Sequence, residues 1–509
     1  MTESRLARRS RVVAVGGLLA LAATLLAAMP AGATTAQCDP STREGLLECV
    51  TVDGVRGHQQ ALQDIADANG GNRASGSPGY DASAEYVANA ARDAGLTVTT
   101  QAFEFPFFQV ESEALASGGT EYVAGTDFAT MTFSGSGDVT ATAVPVDLQL
   151  PPAGTSTSGC EAADFAGFPA GGIALLQRGT CPFGVKAANA LAAGAAGAIV
   201  FNSGDTPANA ELLQGTLGEP LALPVVGTTF AVGEALQNAE VTLSTATVSE
   251  TRSTTNVLAE KPGAGDGVLM VGAHLDSVPE GPGINDNGSG SAAILTVAEL
   301  LAGVESEQTV RFAWWGAEEL GLLGAEYYVA NLPAPELARI GSYLNFDMVG
   351  SPNFVRFVYD GDDSDVVGAP AGPAGSDAIE DVFETFYADR GLAYQGTDFD
   401  GRSDYGPFIA AGVPAGGLFT GAEGVKSEEQ AATYGGEAGA PYDPCYHAEC
   451  DTYDNVDTTV LDENADAIAY ATFTLATEPL VATGAPAGPA GNGGGGGLSP
   501  GHDHGGVSS

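Results

Sequence analysis

The chain has 509 residues, too many for one hydrophobic core, so length alone predicts two or three domains. Lys and Arg total 18 against 64 Asp and Glu, a formal charge of −46 that excludes a basic face gripping nucleic acid and an affinity for anionic membranes. Hydrophobic residues make up 44% and charged residues only 16%, a folded proportion that excludes a disordered acidic protein.

Residues 1–33 read as a secretory signal peptide. Arg5, Arg8, Arg9 and Arg11 precede an apolar run from Val12 to Met29, which closes on Ala31-Gly32-Ala33 before the polar Thr34-Thr35. The run approaches the length of a membrane anchor, but the small-residue cleavage pattern decides for removal and an extracellular product. No later stretch reaches transmembrane length, so stable membrane insertion is not expected after cleavage. The six cysteines fall as close pairs, Cys38/Cys49, Cys160/Cys181 and Cys445/Cys450. Connectivity is not fixed by spacing, and three local bridges are the expectation for an exported chain without a C-x-x-C motif.

A helical pattern occupies Tyr80–Ala94 after a Gly/Asn/Ser-rich stretch, and a strand follows over Thr97–Phe105. From about Gly118 to Ser249 the texture changes to short strands with many Gly and Thr, a candidate insertion. Beyond Thr254 strands and helices alternate: Gly267–Ala273, Ser289–Ala302, Thr309–Trp315, Gly321–Asn331, Ile340–Phe346, Asp377–Arg390 and a helix near Val460–Thr477. Such alternation predicts an α/β fold with a mixed, largely parallel central sheet and helices on both faces. After Ala482 the chain turns Gly/Pro/Ala-rich and reads as a flexible tail, and His502 and His504 within it as solvated rather than metal-binding.

Chemistry concentrates at the strand ends. Of five His, two lie in the tail, leaving His58, His274 and His447. His274 closes one strand, Asp286 precedes the next helix, Glu318-Glu319 follow Thr309–Trp315, and Asp347 follows Ile340–Phe346. In an open α/β sheet these positions share the crevice at the carboxyl ends of the strands. Singly, each group has a bland explanation: Asp286 as a helix cap, the Glu pair as a solvated face, a lone His as a core residue. Together, so many carboxylates in one low-dielectric cleft demand a counter-charge. Two divalent cations about 3.5–4 Å apart supply it, and nitrogen-plus-carboxylate ligation fits zinc better than calcium or magnesium. The acidic stretch Asp360–Asp365 is a weaker calcium candidate, lacks EF-hand spacing, and reads as a solvated loop.

The strings Ala273–Ser277, Gly283–Gly290, Trp314–Gly321, Leu344–Met348 and Cys445-Tyr446-His447 resemble those of the secreted co-catalytic di-zinc aminopeptidases of metallopeptidase clan MH, over about Gly54–Phe105 and Ser253–Ala476. The resemblance implies that His274 and Asp347 hold one zinc, Glu319 and His447 the other, and that Asp286 bridges them. It further implies Glu318 as general base, Asp276 orienting His274, Tyr446 as oxyanion donor, Arg402 as a substrate-positioning group, and a cis Asp286-Asn287 peptide. The sequon Asn287-Gly288-Ser289 lies inside this loop and reads as incidental. The strings Asp164-Phe165, Gly172–Phe183 and Lys186–Asn202 resemble a protease-associated (PA) domain, with a cleft-covering role and nothing catalytic.

The expected division is therefore a signal peptide over 1–33, peptidase segments over 34–117 and 251–481, a PA-like insertion over 118–250 and a tail over 482–509. The expected function is a monomeric, secreted zinc aminopeptidase acting on peptide or protein N-termini. The alternatives are a carboxypeptidase or glutaminyl cyclase with the same fold, whose marks are a further helical dimerisation domain and a single zinc respectively, and a non-catalytic receptor, which loses ligands that this chain keeps.

Overall fold

The computed structural model describes residues 38–151, 154–366 and 368–478. The signal peptide expected over 1–33 and the tail expected over 482–509 lie outside the described residues.

Strands Thr309–Trp315, Val268–His274, Ile340–Phe346 and Ala415–Phe419 lie side by side in that order, all parallel. Phe357–Tyr359 adds antiparallel beside Ala415–Phe419, with Gln395–Thr397 parallel at its outer side. Every residue of Val268–His274 is buried, as a parallel strand covered on both faces requires. Its alternation sorts the two faces. Leu269, Val271 and Ala273 join one core with helices Val52–Ala68, Pro78–Asp93, Gly288–Leu301, Ser376–Arg390 and Thr458–Thr477. Val268 and Met270 join another with Leu323–Asn331 and Tyr405–Ala410. Side-chain caps at Thr51, Ser77 and Asp457 start three of these helices. Truncating fully buried Leu344 to Ala would cost about 2–5 kcal/mol through the cavity it leaves.

The strand expected over Thr97–Phe105 continues to Ser117 and pairs antiparallel with Glu240–Lys261 from Thr97↔Glu260 to Ser117↔Val241. Pro106 is the reason the sequence suggests an earlier stop. Among the described residues its stretch of strand pairs only with Glu240–Lys261, and an edge position tolerates the missing N–H. Phe103, Phe105 and Phe107 keep the period of two across it, all buried.

Glu240–Lys261 carries two structures on one strand. Its C-terminal half pairs with Thr309–Trp315 and its N-terminal half with Gly137–Pro145, while across 250/251 Glu250 and Thr251 pair with Phe107 and Pro106. From Gly137–Pro145 a second parallel array proceeds through Ile173–Gln177, Gly197–Phe201 and Val225–Thr228, closed by antiparallel Phe128–Thr130. Ala187 and Ala190 of helix Phe183–Ala192 seal one side of it.

Two of the three local bridges expected from the cysteine spacing join the expected partners. Cys160 and Cys181 are bonded beside helix Phe183–Ala192, and Cys445 is bonded to Cys450. Cys49, the last residue of helix Arg43–Cys49, is disulfide-bonded, and so is Cys38. No described cysteine is free. No described helix is long and apolar enough to cross a membrane.

Candidate metal centre

Three adjacent parallel strands bring their carboxyl ends to one edge, and the chemical groups sit on the residues that close or follow them. His274 ends Val268–His274, Glu318 and Glu319 follow Thr309–Trp315, and Asp347 follows Ile340–Phe346. Asp286 precedes helix Gly288–Leu301, and its peptide bond to Asn287 is cis. Asn287 caps the helix through Gly290 N and donates its Nδ2 to Phe346 O at 2.8 Å, which ties the Asp286 loop to the strand end carrying Asp347. Gly290 permits this closeness, because a Cβ there would lie 2.1 Å from Phe346 O. His447 arrives from the loop that the Cys445–Cys450 bond closes. Ala317, Met348 and His447 all have positive φ (56°, 51° and 55°), so the backbone is strained beside three of these groups.

His274 Nε2 lies 3.1 Å from Asp347 Oδ1, 3.2 Å from Asp286 Oδ1 and 3.8 Å from Glu318 Oε2. His447 Nε2 lies 3.0 Å from Glu319 Oε2 and 3.3 Å from Asp286 Oδ2. One ring nitrogen can donate one proton, yet His274 Nε2 faces three carboxylates. Glu319 Oε1 is buried with no hydrogen-bond partner among the described residues. Both facts fit a site built for cations. The ligand atoms of His274, Asp286 and Glu319 lie within 4.8 Å of one another, as do those of His274, Glu318 and Asp347. These two adjacent groups sharing His274 match a di-zinc centre in number and in donor chemistry, imidazole nitrogen plus carboxylate oxygen.

Comparison with known proteins agrees. The profile of peptidase family M28 matches residues 256–472, and that of the PA domain residues 139–236. An aminopeptidase of Pseudomonas aeruginosa is 49% identical over 442 residues, covering 85% of this chain and 82% of that one. The chain belongs to peptidase family M28. Leucine aminopeptidase 2 of Trichophyton rubrum is 40% identical over 440 residues, 84% of this chain and 85% of that one. Among solved structures, an aminopeptidase from Aneurinibacillus sp. strain AM-1 superposes with a TM-score of 0.63 at 28% identity, covering 86% of this chain and 96% of that one. A zinc aminopeptidase from Bacillus subtilis gives 0.55 at 25% identity, over 84% and 96%.

The M28 centre is electrostatically demanding without its ions. Burial pushes Glu318 and the neighbouring Asp404 well above the carboxylate range and Glu319 up to about 7. Burial opposes charge on His274, but Asp347 and Glu318 outweigh it and hold the imidazole well above its ordinary value. His447 is likewise pushed up to about 11, burial being outweighed by Glu319 and Asp286. Asp286 goes the other way: burial resists its charge, and hydrogen bonding to His274 and His447 holds it below the usual range. The centre opens into a cleft with about 770 Å³ of empty space, part of it open to solvent, whose apolar wall includes Met348, Tyr359, Phe419 and Tyr442.

Of the remaining site residues expected from sequence, Arg402 and Tyr446 line this cleft and Asp276 is fully buried outside its lining. Asp276 accepts Glu318 N on Oδ1 at 3.2 Å, and His274 Nδ1 sits closer to the Asp276 carbonyl, 3.1 Å, than to its carboxylate, 3.8 Å. Arg402 Nη2 donates to the Tyr446 hydroxyl at 3.1 Å, and its Nη1 pairs with Glu423 at 2.7 Å. The Tyr446 ring stacks on His447 with centroids 3.8 Å apart. Asn287 of the sequon is fully buried, which leaves no room for a glycan. Asp360, of the candidate calcium stretch, meets Asp362 and Glu380 within 4.8 Å, but backbone N–H groups of Gly361, Ser364 and Asp365 already occupy these carboxylates.

Three residues escaped the sequence reading. Ser403 Oγ donates to Asp347 Oδ2 at 2.7 Å, and its place beside Arg402 was the available signal. Asp451 accepts the backbone N–H of Asn285 at 2.8 Å and of Asp286 at 2.9 Å, which joins the Asp286 loop to the segment after Cys450. Arg73 is fully buried beneath the Asp286 loop, and nothing in its local sequence marks it.

Proposed function

We propose that this M28 peptidase removes residues from the free N-termini of extracellular peptides, with two zinc ions held by His274, Asp286, Glu319, Asp347 and His447. The observation that carries the reading is Asp286, which turns Oδ1 to His274 at 3.2 Å and Oδ2 to His447 at 3.3 Å, the posture of a carboxylate shared between two cations. His274 and Asp347 would hold one ion, Glu319 and His447 the other. Such ions, when bound, polarise the scissile carbonyl and make water nucleophilic near neutral pH.

The chain's own groups do the rest. Glu318, buried and 3.8 Å from His274 Nε2, takes a proton from the attacking water and returns it to the leaving amine. Tyr446 accepts from Arg402 and thereby turns its own proton toward the cleft, where it donates to the oxyanion of the tetrahedral intermediate. Arg402, anchored by Glu423, keeps that hydroxyl and the substrate in register. Asp276 braces the strand end by holding Glu318 N and lying against His274. Carboxylates facing the cleft suit a substrate ammonium group, and the names of the relatives above support the aminopeptidase specificity. The disulfides Cys160–Cys181 and Cys445–Cys450 support export to an oxidising compartment. A third local bridge, from Cys38 to Cys49, accords with each of these two being disulfide-bonded while the other four cysteines pair among themselves.

The test is a peptide panel. Purified chain should release free amino acids from unblocked and C-amidated peptides and spare N-acetylated ones, with activity abolished by chelator. Cleavage of the acetylated peptides from their C-termini would reverse the assignment.

A further inference from the structure

Arg73 lies between helices Val52–Ala68 and Pro78–Asp93, outside every string that resembles the peptidase centre. Its side chain is wholly buried, yet no carboxylate lies within ion-pair distance among the described residues. Instead the guanidinium donates to three carbonyls: Nε to Pro282 O at 2.8 Å, Nη2 to Gly283 O at 2.5 Å, and Nη1 to Leu275 O. Its backbone is tied to the same loop, accepting from Ser277 N and donating to Ser277 Oγ at 2.9 Å. Leu275 directly follows His274, and Pro282-Gly283 lead into Asp286. A single planar fork therefore pins both ends of the segment that separates two metal-facing side chains. Gly283, at φ 60°, has no room for a Cβ, which would fall 2.3 Å from Asp286 O and 2.5 Å from Ser277 Cβ, and 3.2 Å from Arg73 Nη2. Burial lowers the guanidinium to about 10, so it stays charged at neutral pH, and Arg73 is not among the residues that line the cleft.

We infer that Arg73 is a positioning residue for the metal centre: its three-way grip on Leu275, Pro282 and Gly283 sets the separation of His274 and Asp286 before any ion arrives. The proposal rests on the ligand assignment above. A fixed separation spares the ions the entropy of ordering the loop, as outer hydrogen bonds do for metal ligands generally. A lysine supplies the charge but not the planar fork, so charge and geometry separate cleanly.

The experiment titrates zinc-loaded full chain with a chromophoric chelator and follows zinc release, with far-UV circular dichroism and melting as controls, for the wild type, Arg73→Lys and Arg73→Gln. Both folded variants should release zinc at about 10- to 100-fold lower chelator concentration than the wild type, the usual loss when an outer-shell support of a metal ligand is removed. Arg73→Lys releasing zinc with the wild-type profile overturns the inference. If neither variant folds, Ser277→Ala decides, because it removes the bond from Arg73 N to Ser277 Oγ without burying a new group. Easier zinc release at an unchanged melting temperature supports the clamp, and unchanged release overturns it. A wild type that holds fewer than two zinc ions defeats the ligand assignment instead, which keeps the two failures distinct.

Discussion

His447 Nε2 lies 3.3 Å from Asp286 Oδ2, although the two residues are 161 positions apart in the sequence. The contact depends on Asp451, which holds the Asn285 and Asp286 amides while the Cys445–Cys450 bond shapes the loop bearing His447. Asp451→Asn replaces an acceptor pair with one acceptor and one donor facing an N–H. The expected cost is about 1–3 kcal/mol of stability, read by denaturant unfolding, together with weaker zinc retention. Unchanged stability and retention would free Asp451 from this role.

Glu318→Gln keeps the shape of the side chain and removes its basicity. The variant should bind zinc as the wild type does, with kcat down by about 10²–10⁴-fold. Steady-state kinetics on a leucyl peptide beside zinc analysis checks both halves, and a near-normal rate removes Glu318 as the base.

Tyr446→Phe deletes one hydrogen-bond donor and leaves the ring stacked on His447. If the hydroxyl meets the oxyanion, kcat falls by about 10²–10³-fold with little change in KM. A rise in KM at constant kcat would assign Tyr446 to ground-state binding.

Without metal, stability should fall as pH rises. Glu319 is raised from 4.5 to about 7 in the folded chain, so between those values the folded state holds more protons than the unfolded one and loses stability with increasing pH. His447, raised from 6.5 to about 11, contributes stability fully present below pH 6.5 and lost as pH climbs toward 11, which extends the decline. Asp286, held below its ordinary value, acts in the opposite sense only at low pH. Thermal melts of chelated and zinc-loaded protein from pH 5 to 9 should show a falling curve for the first and a flatter one for the second.

Much of this was legible in the sequence because it obeys local rules. The strands Thr309–Trp315 and Ile340–Phe346 are short stretches rich in apolar and aromatic residues, and Glu318-Glu319 and Asp347 follow their ends. What escaped depends on distant partners. Pro106 masks a strand that reaches Ser117 because only the pairing shows that it runs along an edge. Arg73, Ser403 and Asp451 act on backbone or side chains far away in sequence, and a lone Arg, Ser or Asp has no pattern to announce that.

The sharing of Asp286 between two ions is tested most directly by zinc content measured beside peptide hydrolysis for the wild type and Asp286→Ala. The wild type should carry two zinc ions per chain and lose activity as they are withdrawn, and Asp286→Ala should retain at most one and be inactive. A fully active chain with no zinc, or an Asp286→Ala variant that keeps both ions and normal turnover, would contradict the account.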